Sequence, residues 1–192
     1  MGAIAYFTRK TPGRSNMSGK YHTVVIDPPW DIKPSGKWRA VNNGLRAGLP
    51  YHTMTDKEIK SFDIDKFAAP GCKLFLWCTN GKLPLAFDIL KSWGFRYHAT
   101  MAWVKKNGPA ILGIHYNVEY CLMAYRGGYG FPSITRAIHT AYYGKHSEKP
   151  PAFYQAILTK TKPPRIDLFG RKRHYGFDSW GDQVETKQPT LD

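Results

Sequence analysis

The sequence predicts an α/β fold, a three-layer doubly wound sheet. Three observations point there. A β-branched run, Val24-Val25-Ile26, stops at Asp27-Pro28-Pro29-Trp30. A strand–helix–strand series follows in Lys73–Cys78, Leu83–Trp93 and Phe95–Val104. An apolar strand at Val118–Ala124 is then succeeded by a helix beyond Pro150 and a strand from Arg165 that ends at Gly170. Short apolar runs alternating with helical periodicity indicate strands covered by helices.

At 192 residues the chain is expected to form one domain with a substantial core. It divides into a basic arm (1–20), a single domain (21–185) and a short tail (186–192). Lys and Arg number 28 against 14 acids, a net charge of +14. Such an excess on a small domain is the footprint of a phosphate-backbone partner, with solubility or a membrane surface as the plainer alternatives. No apolar run approaches the ~20 residues needed to span a bilayer. Cys72, Cys78 and Cys121 sit in apolar runs without metal-ligand spacing, so they read as reduced, buried residues of a cytoplasmic protein. No metal is expected.

The first strand sets the chemistry. Pro28 and Pro29 cannot donate backbone hydrogen bonds and have fixed φ, so the chain after Asp27 is stiff and its carbonyls are expected to be free. The carboxyl edge of an open α/β sheet is where ligands bind. A carboxylate and a preset carbonyl suit an amino group with two hydrogens, and the indole of Trp30 offers a stacking face. A flipped adenine meets both demands. Its exocyclic nitrogen becomes more nucleophilic when two acceptors draw it toward the pyramidal form. A proline-stiffened turn with Trp30 in the core is the structural alternative.

The remaining elements follow in order. Asp31–Pro50 is a long loop rich in Gly, Asn and cations, including Lys33, Trp38 and Arg39, placed as a substrate-gripping lid. Thr55 and Glu58 form a capping box for a short helix. The helix at 83–93 carries apolar residues at 83, 86, 87, 90 and 93, and Gly94 stops it. Lys105–Asn117 is a second loop, with Tyr116 near its end. Arg126–Lys145 interleaves cations and tyrosines, which suits a nucleic-acid backbone or a plain β-hairpin with a solvated face. Ser147 is placed to cap the helix after Pro150, where Lys149 and exposed amides make an anion site. No G-x-G-x-x-G follows a strand, which argues against a dinucleotide enzyme.

At these residues the chain resembles the adenine-N6 methyltransferases of the MT-A70 type, in their bacterial and phage DNA-modifying branch. Asp27-Pro28-Pro29-Trp30 is similar to their motif IV. Tyr51-His52-Thr53-Met54 resembles a Tyr-Pro-Thr-Met segment whose tyrosine lines the adenine pocket, with His52 in place of the proline. Leu74–Trp77, Trp93-Gly94-Phe95, Trp103-Val104-Lys105 and the strand glutamate Glu119 follow in the family's order. So do His146-Ser147-Glu148-Lys149-Pro150, Leu168-Phe169-Gly170-Arg171 and Trp180-Gly181-Asp182-Gln183. Asp182 stands where the family usually has asparagine.

The resemblance implies a Rossmann-like S-adenosylmethionine-dependent methyltransferase fold of permuted order, the catalytic strand preceding the cofactor strand. It implies catalysis by Asp27, Pro28, Pro29 and Trp30. S-adenosylmethionine would be held by Ile26, Asp27, His146, Ser147, Lys149, Phe169, Gly170, Arg171, His174, Gly181, Asp182 and Gln183. Substrate contacts fall on Lys33, Trp38, Arg39, Tyr51, Lys105, Tyr116, Asn117 and Glu119. The expected reaction is methylation of adenine N6 in DNA, in the cytoplasm of a bacterium or phage-infected cell. A homodimer would enlarge the grip of so small a domain. RNA methylation, or a silent nucleic-acid-binding partner subunit, are the alternatives.

Overall fold

The computed structural model describes residues 20–31, 53–105, 110–111, 114–115, 117–128, 130–131, 133–134, 137–140 and 148–181. Its strands are β1 (Tyr21–Ile26), β2 (Ala68–Thr79), β3 (Arg96–Lys105), β4 (Ala110–Ile111), β5 (Ile114–His115), β6 (Val118–Tyr125), β7 (Ala137–Thr140), β8 (Arg165–Leu168) and β9 (Asp178–Trp180). The α-helices are α1 (Asp56–Lys60), α2 (Leu83–Ser92) and α3 (Pro151–Lys160).

Seven strands form one sheet in the order β7-β3-β6-β2-β1-β8-β9. β1 runs parallel to both neighbours, so Ile26 lies opposite Leu76 on one side and Leu168 on the other. β6 is reversed and pairs antiparallel with β2 and β3, while β7 and β9 continue parallel.

Alternation along β1 builds the layers. Val24 and Ile26 face one side with Leu74, Leu76, Ile59 of α1, and Ala86, Ile89 and Leu90 of α2. Val25 faces the other with Phe75, Trp77, Met101, Met123, and Phe153 and Ile157 of α3. All of these are buried, and each large apolar side chain contributes roughly 1.5–3 kcal/mol by leaving water. Helices therefore cover both faces, as the sequence predicts.

The ends of the elements obey local chemistry. Thr55 caps α1, accepting the Glu58 N–H at 3.3 Å while the Glu58 carboxylate accepts the Thr55 N–H at 2.8 Å. α2 closes on Gly94 with φ +73°, where the Phe95 N–H reaches the Leu90 carbonyl at 2.9 Å. The capping box and the glycine stop match expectation. The N-cap of α3 is Pro150, which makes no side-chain cap bond, and the proline pair fixes the entry; Ser147, expected as the cap, lies outside the described residues. Residues 137–140 join parallel to β3 as a strand of the main sheet. One detail differs: on α2, Phe87 is 38% exposed and Ile89 takes a core position, because the buried stripe turns toward β2.

The three cysteines are free and buried, as expected. The N-terminal arm to residue 19 and everything beyond Gly181 lie outside the described residues, as does most of the 31–50 loop.

Candidate active site

β1, β2, β3 and β8 all end at one edge of the sheet, and reversed β6 begins there. Asp27 follows Ile26 at this edge and donates its N–H to the Leu168 carbonyl at 3.2 Å. Beyond it the tip is fastened rather than free. The Pro28 carbonyl accepts the Trp30 N–H at 2.7 Å, and the Pro29 carbonyl accepts the Met54 N–H at 2.8 Å. The Trp30 indole N–H donates to the Trp77 carbonyl at 3.0 Å, and Trp30 is only 5% exposed. Among the described residues the carbonyls expected to be free thus each accept one hydrogen bond, and Trp30 serves the tip as an anchor with little open face. The Lys82 ammonium lies 6.0 Å from its ring.

An alternating row of charges lies along the edge. Lys149 Nζ donates to Asp27 Oδ2 at 2.7 Å and lies 3.1 Å from Glu119 Oε2. Lys105 pairs with the other oxygen of Glu119. The Lys149 side chain is 6% exposed, against 24% for Asp27. Burial raises the Asp27 carboxyl above its ordinary range, opposed by Lys149. Burial would also raise Glu119, but Lys149 and Lys105 together hold it below. Lys149 stays charged: its burial penalty is outweighed by Asp27 and Glu119.

Beside this row lies the turn after β8. Phe169 takes the left-handed conformation at φ +63°, rare for a side chain of its size. Its N–H donates to the Trp180 carbonyl at 2.7 Å. Gly181 packs so closely that a Cβ there would come within 3.0 Å of the Phe169 Cα. A Cβ on Gly170 would come within 2.3 Å of Asp167 Oδ2, which accepts from the Tyr154 hydroxyl at 2.9 Å. Asp167 is fully buried and its Oδ1 has no partner, and burial pushes its carboxyl up to about 7. His174 stacks on Tyr154 at 3.3 Å between ring centroids, and burial lowers its imidazole to about 4. Arg171 faces Asp27 electrostatically.

The structure therefore gathers Asp27, Glu119, Lys105 and Lys149 in one row, with Phe169, Gly170 and Gly181 in a second group. Asn117 pairs with Lys105 through the backbone at 2.8 Å. Ile26 is buried and offers only its main chain. Lys33, Trp38, Arg39, Tyr51, Tyr116, His146, Ser147, Asp182 and Gln183 lie outside the described residues. Tyr154 and Asp167 were not singled out by the sequence, and Trp77 and Trp103 only as parts of strand motifs. Their only signal is membership of apolar runs, which reads as core. Among the described residues, no group of His, Cys, Asp and Glu could hold a metal ion, and no helix is long and apolar enough to cross a membrane.

A profile of the MT-A70 family matches residues 21–183. The Type II methyltransferase M.MunI of Mycoplasma sp is 29% identical over 184 residues, covering 86% of this chain and 78% of that protein. The human N(6)-adenosine-methyltransferase catalytic subunit METTL3 is 30% identical over 164 residues, covering 80% of this chain. The Arabidopsis thaliana N(6)-adenosine-methyltransferase MT-A70-like is 29% identical over 187 residues. The chain spans 26% of the human and 25% of the Arabidopsis protein. A match over nearly the whole chain, on a sheet whose carboxyl edge carries Asp27 and Lys149 in contact, shows that this protein belongs to the MT-A70 family of S-adenosylmethionine-dependent adenine-N6 methyltransferases.

Proposed function

We propose that this protein transfers a methyl group to N6 of adenine in DNA, and that Asp27 is the residue that receives the adenine amino group. The observation carrying this reading is the Asp27–Lys149 pair at the carboxyl edge. Lys149 takes one carboxylate oxygen of Asp27 and opposes the upward shift that burial imposes on the group, which leaves the other oxygen to accept from the substrate. The Pro28 carbonyl contributes its remaining lone pair, and Trp30 holds the tip to β2. Extrusion of the base costs a few kcal/mol, which basic contacts along the loop from Lys33 to Tyr51 offset. The N6–C bond would form as the sulfonium S–C bond breaks and sulfur keeps that electron pair, and the N6 proton would then pass to water.

The described residues fit the cofactor. A row of two acids and two cations suits a zwitterionic amino-acid end and a sulfonium, and the buried, unpaired Asp167 Oδ1 lies behind the β8 turn. Lys149, Asp27, the Ile26 main chain, Phe169, Gly170, Arg171, His174 and Gly181 would hold it, with His146, Ser147, Asp182 and Gln183 completing the set. Bound S-adenosylmethionine supplies an electrophilic methyl group, so positioning by these residues is the main work of the protein.

DNA is favoured by the likeness to M.MunI, a Type II methyltransferase of which this chain covers 78%. The net charge of +14 supports a backbone grip without separating DNA from RNA. We read residues 21–185 as the single catalytic domain. The test is incubation with tritiated S-adenosylmethionine and matched DNA and RNA pools, with nucleosides separated afterwards. Label in N6-methyldeoxyadenosine is expected. Label confined to the ribonucleoside would move the substrate to RNA, and no label despite cofactor binding would point to a silent partner subunit.

A further inference from the structure

Lys105, at the end of β3, is held on every side. Its N–H donates to the Asn117 carbonyl at 2.8 Å, and the Asn117 side-chain amide donates back to the Lys105 carbonyl at 3.4 Å. Its ammonium pairs with Glu119 Oε1 and lies 4.5 Å from the centroid of Trp103. Trp103 is 3% exposed and meets Trp77 edge to face at 6.2 Å. Trp77 in turn underlies Lys149, whose Nζ is 5.3 Å from its centroid. Two lysines thus sit on adjoining buried indoles, on either side of one carboxylate. A cation over an indole is attracted by the ring and loses little by giving up water there.

We propose that Lys105 is a positioning residue, which occupies Glu119 Oε1 so that Glu119 Oε2 stays ionised for Lys149, and does not itself grip the nucleic-acid backbone. This rests on the reading of Asp27 and Lys149 given above. The four side chains Asp27, Lys149, Glu119 and Lys105 alternate in sign and sum to zero. Without Lys105, two carboxylates at a largely water-excluded edge share one ammonium, and desolvation favours protonating one of them. Among the described residues, no other cation pairs with Glu119. Lys149 is already shared with Asp27, and Asp27 adds repulsion. Cys78 on β2 is neutral, its thiol pushed by burial to about 12, and burial also raises Cys121 on β6 well above the ordinary thiol value. Arg171, Tyr154 and Asp167 act on Asp27 and its surroundings, from the β8 turn, α3 and β8.

The test is S-adenosylmethionine binding by calorimetry between roughly pH 5 and 8, with wild type, Lys105→Met, Lys105→Gln and Lys105→Arg. In parallel, binding to a DNA duplex is titrated with salt. Lys105→Met is expected to weaken cofactor binding about tenfold at neutral pH, the worth of one charge-assisted hydrogen bond. The loss should deepen toward pH 5, beyond any change in wild type, as the unsupported carboxylate takes up a proton. Lys105→Gln, which keeps a hydrogen bond without the charge and guards against misfolding of the first variant, should show the same pH dependence. Lys105→Arg should restore the wild-type profile, and the salt slope should stay put in all three. Wild-type cofactor affinity and pH profile in Lys105→Met, with a salt slope lowered by about one, is the signature of a lost phosphate contact and overturns the proposal. Failure of the wild type itself to bind S-adenosylmethionine would instead sink the reading on which it rests.

Discussion

Lys149 Nζ lies 2.7 Å from Asp27 Oδ2, although 122 residues separate them. Asp27 directly follows β1 and Lys149 leads into α3, so the contact joins sheet to helix at the carboxyl edge. Its neighbour Glu119 shares the same ammonium at 3.1 Å.

Replacing Asp27 with Ala should lower methyl transfer by at least about 10³-fold, since an acceptor aimed at developing charge is lost. Lys149 keeps Glu119 as partner, so cofactor affinity should stay within a few fold. Single-turnover transfer and calorimetry, run together, would check both; wild-type turnover would remove Asp27 from the mechanism.

Lys149→Met leaves two carboxylates facing each other without their shared cation. Breaking a buried pair from one side costs about 3–5 kcal/mol. Urea unfolding should show that loss near pH 8 and a smaller one near pH 5, because protonation of a freed carboxylate relieves the repulsion. Cofactor binding should weaken in the same variant.

Gly170→Ala places a Cβ 2.3 Å from Asp167 Oδ2, and Asp167 is tied to Tyr154. The overlap should cost about 1–3 kcal/mol and lower the melting temperature. Gly81→Ala, where a Cβ meets nothing within 4 Å, is the control and should be close to neutral.

Asp167 gives a pH signature of unusual sign. Its folded value of about 7 lies above the ordinary carboxylate range, so between those limits the folded state holds the extra proton. Stability from this group is therefore greatest at low pH and falls as pH rises toward 7. His174, lowered to about 4, runs the other way, losing stability as pH falls below its ordinary value. Comparing Asp167→Asn with wild type isolates the first effect: the variant should gain about 2 kcal/mol relative to wild type at pH 8 over pH 5 by denaturant melts. An equal difference at both pH values would refute the buried, protonatable Asp167.

Much of this arrangement is legible in the chain because local chemistry and packing agree. Val24 to Ile26, the capping box at Thr55 and the glycine after Trp93 announce themselves through residue type and spacing. Glu119 and Lys149 come forward through motif resemblance. What stays hidden depends on tertiary neighbours. The Tyr154–Asp167 bond joins a helix to a strand, and nothing in either local pattern names the partner. The fastening of Pro28 and Pro29 is similar, since one donor comes from Met54, beyond a long loop. The start of α3 at Pro150 is set by the proline pair, which can open a helix without a side-chain acceptor.

The reversed direction of β6 has a further result. β3 arrives at the ligand edge and β6 departs from it, with Lys105 and Asn117 paired at the junction. β4 and β5 pair with each other between these two residues, in a sheet of their own. Because both ends of the connection are fixed at one junction, a change in its length carries only a small closure entropy and leaves Glu119 tied to β2 and β3.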